Sequence, residues 1–466
     1  MKSLSKYTLL CSLYFILTSC SFKNEKPNII VFFIDDLGWT DLGCYGSDLY
    51  ETPNIDKLAA EGMKFTNAYS ACTVCSPSRA ALMTGKYPAR LHLTDWIQGH
   101  KRRNAKLKVP DWQMYLDTTE VTIAKALNKH GYVTANFGKW HLGDTPEYWP
   151  ENQGFDVNIG GYRWGAPGSY FYPYHGNRRD KMHPPNLENG MEGEYLTDRL
   201  TDEAITFIEE QKDRPFFIYF PHYAVHTPIQ AHDSLISYFS KKITENHRHQ
   251  NATYAAMILS MDHSLGRIRE KLREAGIDEK TAIFFTSDNG GLELRNITDN
   301  GIIREGKGSA YEGGVRVPFI ALIPGITQVG IESDVPVIGM DLYPTILDIA
   351  GLEVIENDGK NLLPTLNSTI QQLNRSTLFW HYPHYHPGGA TPYSAMRKGK
   401  YKLIEFFEDG KLELYNLEKD IGEDDNLAKV EPEMLKELHQ ELQSWREEVG
   451  AQYPTENPVY EPKLNN

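Results

Sequence analysis

Asn-Ile-Ile-Val-Phe-Phe-Ile-Asp-Asp, residues 28–36, is the stretch of this chain that decides its fold class. An unbroken apolar run of this length is typical of a central parallel strand that is buried on both faces. The two carboxylates that follow, Asp35 and Asp36, lie where the strand ends. In open α/β sheets this edge carries the ligand site. We therefore expect both aspartates to belong to a functional site.

Further strands and helices extend this pattern into a large α/β domain. Other apolar runs that end in polar or turn residues predict strands at 215–220, 282–285 and 318–323. Helical patterns predict helices at 52–60, 120–129 and 197–210. Strands that alternate with helices indicate a mostly parallel sheet covered on both faces. Residues 160–174, rich in Tyr and Gly, have no period and predict a long functional loop that continues to about residue 185.

The C-terminal part of the chain has a different pattern of polar and apolar residues. Short alternating segments at 401–404 and 412–415 precede a charged helical pattern at 431–449, which predicts a small antiparallel sheet with a helix. The predicted division is a signal peptide at 1–19, a tether at 20–26, a catalytic domain at 27–375 and a C-terminal subdomain at 376–466. Residues 351–375 could belong to either of the last two.

The charge balance limits the possible partners. Lys plus Arg total 48 and Asp plus Glu total 62 in 466 residues, which gives a formal net charge of -14. Such a surface repels polyanions, so nucleic acid is not an expected partner. An anionic substrate remains possible, because a few focused cationic side chains or a metal ion can reverse the potential in a cleft.

The N-terminus has the pattern of an export signal. Lys2 and Lys6 precede an apolar run at 7–17 that is too short to span a membrane. The run ends in Leu-Thr-Ser-Cys at 17–20, which resembles a bacterial lipobox and predicts lipid attachment to Cys20. An ordinary cleaved signal is the alternative, and both imply export. We expect a protein of a Gram-negative bacterium that is anchored by this lipid alone, in the periplasm or on the outer membrane.

The cysteines direct attention to position 75. Cys11 leaves with the signal, so Cys44, Cys72 and Cys75 remain in the folded body beside the lipidated cysteine. An odd number of thiols in an exported chain points to one with a purpose other than pairing. Pro77 suits a first helical turn, which places position 75 at a helix N-terminus that favours anions. Taken alone, a small buried cysteine before an ordinary helix would be the favoured interpretation.

Residues 75–85, Cys-Ser-Pro-Ser-Arg-Ala-Ala-Leu-Met-Thr-Gly, resemble the signature of the type I sulfatase family in the alkaline-phosphatase-like superfamily. In that family the cysteine of Cys-x-Pro-Ser-Arg is oxidised to formylglycine by a dedicated maturase. The resemblance spans nearly the whole mature chain. It implies an α/β/α sandwich with a mostly parallel sheet, a small C-terminal α+β domain, and hydrolysis of a sulfate ester.

The resemblance also implies a metal site. Asp35, Asp36, Asp288 and Asn289 match the family's divalent metal ligands, and the modified Cys75 faces the ion. Hard oxygen donors suit Ca²⁺ better than zinc. Asp-Asn-Gly at 288–290 would by itself more often be a turn. It follows the apolar run that ends at residue 285, however, and so shares the sheet edge with the first two aspartates.

Five further residues match the family's substrate and proton-transfer positions. The resemblance implies that Arg79 favours an ionised nucleophile, and that Lys139 and Lys307 bind sulfuryl oxygens. It implies that His141 acts as the base on a hydroxyl of hydrated formylglycine, and that His226 binds sulfate and assists the leaving oxygen.

Three residues are alternatives to these assignments. His222 lies near His226 in the sequence and is the rival for its role. Arg304 and Arg316 are lesser alternatives to Lys307, and Arg316 is the more plausibly structural of the two.

The substrate itself is predicted only by composition. Aromatic and histidine residues at 162–174 and 380–386 suit a sugar, and packed contacts between domains are the alternative. The candidate sugar contacts are His92, Asp95, Trp96, His381 and His384. The chain resembles exported bacterial sulfatases that act on sulfated carbohydrate of galactose or N-acetylgalactosamine type. A formylglycine-dependent phosphonate or phosphodiester hydrolase and a noncatalytic glycan-binding lipoprotein are the alternative functions.

Overall fold

The computed structural model describes residues 26–176, 182–367 and 373–462. The predicted signal peptide and Cys20 lie outside the described residues. The strands within those ranges are β1 (Asn28–Ile34), β2 (Met63–Phe65), β3 (Ala68–Tyr69), β4 (Leu107–Lys108), β5 (Val133–Phe137), β6 (Val157–Ile159), β7 (Phe216–Pro221), β8 (Thr281–Ser287), β9 (Phe319–Leu322), β10 (Ile331–Ser333), β11 (Val337–Ile338), β12 (Thr377–Tyr382), β13 (Tyr393–Lys398), β14 (Tyr401–Phe406), β15 (Leu412–Asn416) and β16 (Thr455–Glu456).

The α-helices of the described residues lie mostly between the strands of the N-terminal part. They are α1 (Pro53–Glu61), α2 (Cys75–Thr84), α3 (Pro88–Leu91), α4 (Ile123–Lys129), α5 (Leu196–Gln211), α6 (Asp233–Lys242), α7 (Ala252–Glu274), α8 (Glu312–Val315), α9 (Leu342–Ile349), α10 (Leu363–Leu366) and α11 (Pro432–Glu448). None of the described helices is both long and apolar enough to cross a membrane.

An eight-stranded sheet with the order β10-β2-β9-β8-β1-β7-β5-β6 forms the centre of the molecule. Strand β1 pairs in parallel with both β7 and β8. Ile30 and Phe32 pack into one hydrophobic cluster, whereas Ile29 and Val31 pack into a second. Alternate residues of β1 therefore enter different cores, which explains why the strand is apolar throughout. The predicted α/β class with a mostly parallel central sheet is confirmed.

The C-terminal part forms a four-stranded antiparallel sheet with the order β12-β13-β14-β15. Helix α11 packs on this sheet through Leu438, Leu442 and Trp445. The indole of Trp445 stacks on the ring of Phe379 with their centroids 4.7 Å apart. The predicted antiparallel sheet with a helix is therefore confirmed.

Several elements differ from the sequence-based expectation. The predicted helix at 120–129 begins only at Ile123, because the Thr122 hydroxyl caps it by accepting from the backbone N–H of Lys125 at 3.0 Å. The predicted strand at 318–323 exists as β9, but it runs antiparallel to β8 and to β2. Strand β5 and the long helix α7 were not predicted.

Candidate active site

The ends of β1 and β8 bring two pairs of polar residues together. The two strands are in parallel register, with Ile34 opposite Ser287, so the residues that follow each strand are neighbours. Asp36 adopts a left-handed backbone conformation with φ 60°, and its N–H donates to Asp288 Oδ1 at 3.2 Å. The amide of Asn289 donates to Asp36 Oδ1 at 2.8 Å. These contacts fix the four polar side chains at one buried edge of the sheet.

Three oxygen atoms in this group have no hydrogen-bond partner. They are Asp35 Oδ1, Asp36 Oδ2 and Asn289 Oδ1, and all three are buried. Buried polar atoms without partners are costly, so an arrangement of this kind indicates a ligand that satisfies them. Hard, mostly anionic oxygen donors fit a divalent cation such as Ca²⁺. His226 also offers a nitrogen within 4.8 Å of carboxylate oxygens of both aspartates.

Three cationic side chains bond to the three aspartates at this edge of the sheet. The guanidinium of Arg79 donates to Asp288 Oδ2 at 2.9 and 2.6 Å. The Lys139 ammonium donates to Asp35 Oδ2 at 2.7 Å, and the Lys307 ammonium donates to Asp36 Oδ1 at 2.5 Å. Each carboxylate therefore has at least one cationic partner, and Arg79 also lies 3.7 Å from Asp35 Oδ1. Asp35 Oδ1 and Asp36 Oδ2 accept no hydrogen bond and remain available to a ligand.

The cations and the burial have opposite effects on protonation. Burial opposes ionisation of Asp36, but the ammonium of Lys307 and the imidazole of His226 outweigh it and hold the pKa of Asp36 below its ordinary value. Burial raises the pKa of Asp35 well above its ordinary value, and the charge of Lys139 only partly opposes this. A bound cation at the unpartnered oxygens would favour the ionised form of both carboxyl groups.

Cys75 begins α2 and lies beside His141. Its side chain is buried, and Sγ is 3.4 Å from His141 Nδ1. The other ring nitrogen, Nε2, makes a short hydrogen bond to the carbonyl oxygen of Ile97. Because a carbonyl only accepts, Nε2 carries the proton and Nδ1 is left as an acceptor that faces position 75. Burial lowers the pKa of His141 well below its ordinary value, which keeps the ring neutral.

The surroundings of His141 fix its ring closely. The Ser76 hydroxyl donates to the backbone carbonyl of His141 at 2.8 Å and accepts from the N–H of Ile97 at 3.1 Å. A Cβ atom at Gly165 would lie 2.4 Å from His141 Cε1. The predicted loop at 160–174 therefore contacts the imidazole directly, and only glycine allows this approach.

His226 lies at the site, whereas its rival does not. His226 Nδ1 donates to the carbonyl of Thr227 at 2.9 Å, and Nε2 is 3.6 Å from Asp36 Oδ2. His222 is fully buried, bonds to Ser264 Oγ at 3.1 Å and stacks on Phe220. The geometry gives His222 a packing role.

The two alternatives to Lys307 have partners elsewhere. Arg316 donates to the carboxylate of Glu312 at 2.7 Å. Arg304 lies over the ring of Tyr311 at 3.8 Å. Neither side chain lines the cavity that contains Lys307.

A cavity of about 430 Å³ opens above these groups. Six of the predicted catalytic and metal-binding residues line it, namely Asp36, Cys75, Lys139, His141, His226 and Lys307. The rest of its wall is largely apolar or aromatic and includes Trp96, Ile97, Trp164, Ala166, Met182, Leu292, Leu294 and Pro387. The structure thus brings the predicted catalytic positions to one open cavity, except that Arg79 lies fully buried behind it and is bonded to Asp288.

The candidate sugar contacts are mostly elsewhere. Of the five, only Trp96 lines the cavity. The carboxylate of Asp95 is buried and accepts from the hydroxyl of Tyr382 at 2.8 Å, and burial raises its pKa to about 8. His384 Nε2 is 2.8 Å from the hydroxyl of Thr94. These contacts are internal packing contacts.

The other two histidines also have internal partners. His381 bonds to Ser394 and to the carbonyl of Gln452, at 2.7 and 2.8 Å. His92 bonds to the carbonyl of Gly450 at 3.0 Å. His386 was missed, although it lines the cavity and belongs to the aromatic and histidine stretch identified in the sequence. The loop after β12 decides which histidine of that stretch faces the cavity. This loop has no periodic pattern from which the direction of a side chain could be predicted.

Comparisons with known proteins agree with this geometry. The family described as Sulfatase matches residues 27–352, and the family described as N-sulphoglucosamine sulphohydrolase, C-terminal, matches residues 306–448. A protein named Sulfatase from Formosa agariphila is 33% identical, with 91% of this chain and 89% of that protein covered. Human N-acetylgalactosamine-6-sulfatase is 36% identical over 73% of this chain and 66% of its own length.

A solved structure has the same fold. Ps i-CgsB, crystallised in complex with k-i-k-neocarrahexaose, superposes with a TM-score of 0.76 at 33% identity and covers 91% of this chain and 93% of its own. The family match covers more than half of the chain, and it includes every residue of the buried site. This chain therefore belongs to the sulfatase family and is a sulfuric ester hydrolase.

Proposed function

We propose that this sulfatase hydrolyses an O-sulfate ester on a glycan sugar of galactose or N-acetylgalactosamine type, with formylglycine formed from Cys75 and one bound Ca²⁺. The observation that carries the proposal is the position of Cys75 beside three unpartnered oxygens, on Asp35, Asp36 and Asn289, with a cavity above them. A binding protein would need neither a thiol at this position nor a histidine that faces it.

The residues that would hold the metal ion lie together at one edge of the sheet. Asp35, Asp36, Asp288 and Asn289 would hold the cation, and when bound it would supply positive charge that favours an ionised oxygen at position 75. Formylglycine, once formed from Cys75, supplies a hydrated aldehyde whose hydroxyl is a stronger nucleophile toward sulfur than a serine hydroxyl.

The chain's own residues supply charge and proton transfer. Lys139 and Lys307 present ammonium groups to the cavity, where they bind sulfuryl oxygens with charge-assisted hydrogen bonds. His141 Nδ1 accepts a proton from an oxygen at position 75, since its Nε2 proton is committed to Ile97. His226 has Nδ1 committed to Thr227, so Nε2 is the nitrogen that faces the substrate. A bound anion favours a proton on Nε2, which can then pass to the leaving alcohol.

The cavity and the relatives support a sugar substrate. The indoles of Trp96 and Trp164 line the cavity and offer flat apolar faces to a pyranose ring. One relative is named N-acetylgalactosamine-6-sulfatase, and the solved structure of Ps i-CgsB contains k-i-k-neocarrahexaose. We also propose export with lipid attached to Cys20, which rests on the N-terminal sequence alone.

A substrate panel tests the proposal. The matured enzyme is assayed on sulfated galactose and N-acetylgalactosamine, mono- and disaccharides, and on matched phosphate and phosphonate esters. We expect sulfate release from at least one sulfated sugar and at most trace hydrolysis of the phosphorus esters. A preference for phosphonate or phosphodiester would favour the alternative hydrolase.

Mass spectrometry of the peptide that contains residue 75 distinguishes the proposed enzyme from a noncatalytic glycan-binding protein. Oxidation of the thiol to an aldehyde lowers the peptide mass, and the expression host must contain the maturase. A peptide that stays a thiol in such a host, with no sulfatase activity, would contradict the proposal.

A further inference from the structure

A run of basic residues follows part of the cavity wall in the sequence. Trp96, Ile97 and Gln98 line the cavity, and residues 100–108 follow as His-Lys-Arg-Arg-Asn-Ala-Lys-Leu-Lys. Five of these nine residues are Lys or Arg in a chain whose net charge is -14. We call these five side chains the basic strip; they are Lys101, Arg102, Arg103, Lys106 and Lys108.

The cations of the basic strip lie at the surface of the protein. All five are exposed to solvent. In the part of the chain that the structure describes, none of them forms an ion pair with a carboxylate. Arg102 lies over the ring of Tyr385 at 4.8 Å, and the Lys106 ammonium bonds to the backbone carbonyl of Glu408. The strip is therefore a concentrated positive field on an otherwise acidic protein.

The backbone that carries the strip is held in place. Ala105 and Leu107 are buried in a small cluster with Tyr385, so the residues between and after them point to solvent. The N–H of Leu107 donates to the hydroxyl of Tyr385 at 3.0 Å. Strand β4 pairs with β16, and the side chain of Asn457 donates to the carbonyl of Ala105 at 2.7 Å. This anchoring presents the cations in a fixed row.

The same anchor connects the strip to the cavity. Tyr385, which holds Leu107, immediately precedes His386, which lines the cavity. Burial is the main cause that lowers the pKa of His386 to about 4. The basic run begins at His100, two residues after Gln98, which lines the cavity. Lys101 and Lys108 are at most about 25 Å apart along an extended backbone, so the strip is comparable in length to an oligosaccharide.

We propose that the basic strip binds further sulfate groups of the glycan whose terminal or internal sulfate occupies the cavity, so that the natural substrate is a polysulfated oligosaccharide or polysaccharide. This inference rests on the proposed function and specifies its substrate class. A glycan is favoured over other polyanions because the strip follows Gln98 of the cavity wall in the sequence, and its anchor Tyr385 precedes His386 of the same wall. The gain for such a substrate is expected in KM, since the strip does not touch the reacting atoms.

The test variant combines Lys101→Gln, Arg103→Gln and Lys108→Gln. It leaves Arg102 on Tyr385 and Lys106 on Glu408, so the anchoring contacts remain. The control variant combines Lys241→Gln, Lys419→Gln and Lys436→Gln, which removes the same charge from exposed lysines that do not line the cavity.

The probes are a polysulfated galactan hexasaccharide and the same hexasaccharide with a single sulfate. We expect the strip variant to raise KM for the polysulfated probe about three- to tenfold at low salt, with kcat unchanged and with the difference reduced at high salt. The monosulfated probe should show less than about a twofold change, and the control variant should resemble the natural protein with both probes.

Three results would overturn the proposal. The strip and control variants could raise KM equally, the strip variant could lose kcat on both probes, or it could lose binding to phosphatidylglycerol vesicles while KM is unchanged. The last result would identify a membrane-facing surface. If the natural protein hydrolyses neither probe and releases no sulfate from any sulfated sugar of the panel, the proposed function fails by itself. Equilibrium binding of the two hexasaccharides to the natural and strip-variant proteins then still decides whether the strip recognises polysulfated chains.

Discussion

The protein contains two buried clusters of charged residues that are built differently. The site cluster lies at the ends of β1 and β8 and consists of Asp35, Asp36, Arg79, Lys139, Asp288, Asn289 and Lys307. The structural cluster lies where α8 meets the C-terminal sheet and consists of Glu312, Arg316, Arg397, Lys402 and Glu423. Both place acids against cations away from water. The structural cluster leaves one carboxylate oxygen, Glu423 Oε1, without a hydrogen bond, whereas the site cluster leaves three oxygens without one, and Asp36 among them lines an open cavity.

The contacts of Glu312 show the difference. Its Oε1 accepts from Lys402 at 2.9 Å, and its Oε2 accepts from Arg316 at 2.7 Å and from the hydroxyl of Tyr69 at 2.8 Å. In the site cluster, Asp36 uses Oδ1 for Lys307 and keeps Oδ2 free of hydrogen bonds. A saturated carboxylate stabilises the fold, whereas a half-saturated one beside a cavity indicates a ligand. Substitutions in the two clusters should therefore affect different measurements.

The largest effect is expected for Cys75→Ala. This change removes the side chain that becomes the nucleophile, so turnover should fall by at least about 10⁴-fold, while the melting temperature stays within a few degrees. The measurement is kcat with the best sulfated sugar of the panel, together with a thermal melt.

Cys72→Ala is the matched control for this variant. Cys72 is another buried thiol three residues earlier, and its loss should leave most of the activity. Substantial hydrolysis by a verified Cys75→Ala protein would contradict the mechanism.

The second effect concerns the metal. Asp36→Asn removes an anionic oxygen that faces the unpartnered group, so calcium affinity should fall by more than about 100-fold and kcat should fall with it. Elemental analysis and calcium titration measure the first effect, and steady-state kinetics measures the second. Glu312→Gln, in the structural cluster, should retain the full metal content. Unchanged calcium in Asp36→Asn would show that the ligand assignment is wrong.

The third effect is on stability. Glu312→Gln leaves Arg316 buried without its anionic partner and leaves Lys402 paired only with Glu423, which should lower the free energy of unfolding by about 3 to 5 kcal/mol. Activity for each folded molecule should stay close to that of the natural protein. Denaturant titration measures the first quantity, and active-site titration with kinetics measures the second. An unchanged unfolding midpoint would mean that the structural cluster does not need this charge.

The sequence predicted the site cluster better than its surroundings. Asp35, Asp36 and Asp288 follow apolar strands directly, and the parallel register of β1 and β8 makes the ends of such strands meet. The antiparallel direction of β9 could not be predicted from the sequence, because a short apolar run is compatible with a parallel and with an antiparallel strand. The full set of hydrogen bonds to Glu312 could not be predicted either, because Glu312 lies in α8 and its partner Lys402 lies far along the chain on β14.

The cavity wall was the least predictable part. His381 and His384 share an aromatic stretch with His386, yet only His386 faces the cavity. The difference arises where β12 ends and the chain turns, and composition does not indicate which side chain faces inward there. Position 75 was predictable because its signature is long and local. The wall depends on loops from several distant parts of the chain, including those around Trp96, Trp164, Leu292 and His386.

The smallest effect concerns Glu423, the least satisfied acid of the structural cluster. Burial raises its pKa from 4.5 to about 7, and the charge of Lys402 opposes this only in part. The folded protein therefore binds more protons at this group than the unfolded chain between pH 4.5 and 7. The corresponding stability is fully present below about pH 4.5 and is lost as the pH rises through about 7, by at most about 3 kcal/mol.

Glu423→Gln resembles the protonated acid at every pH and should remove this dependence. Other groups titrate in the same range, so the informative quantity is the difference between the unfolding free energies of the natural protein and the variant. We expect that difference to change between pH 5 and 8 in the direction that favours the variant at high pH. A difference that is independent of pH would mean that Glu423 stays ionised beside Lys402. In that case the structural cluster would be fully charge-paired, and the contrast with the site cluster would be sharper still.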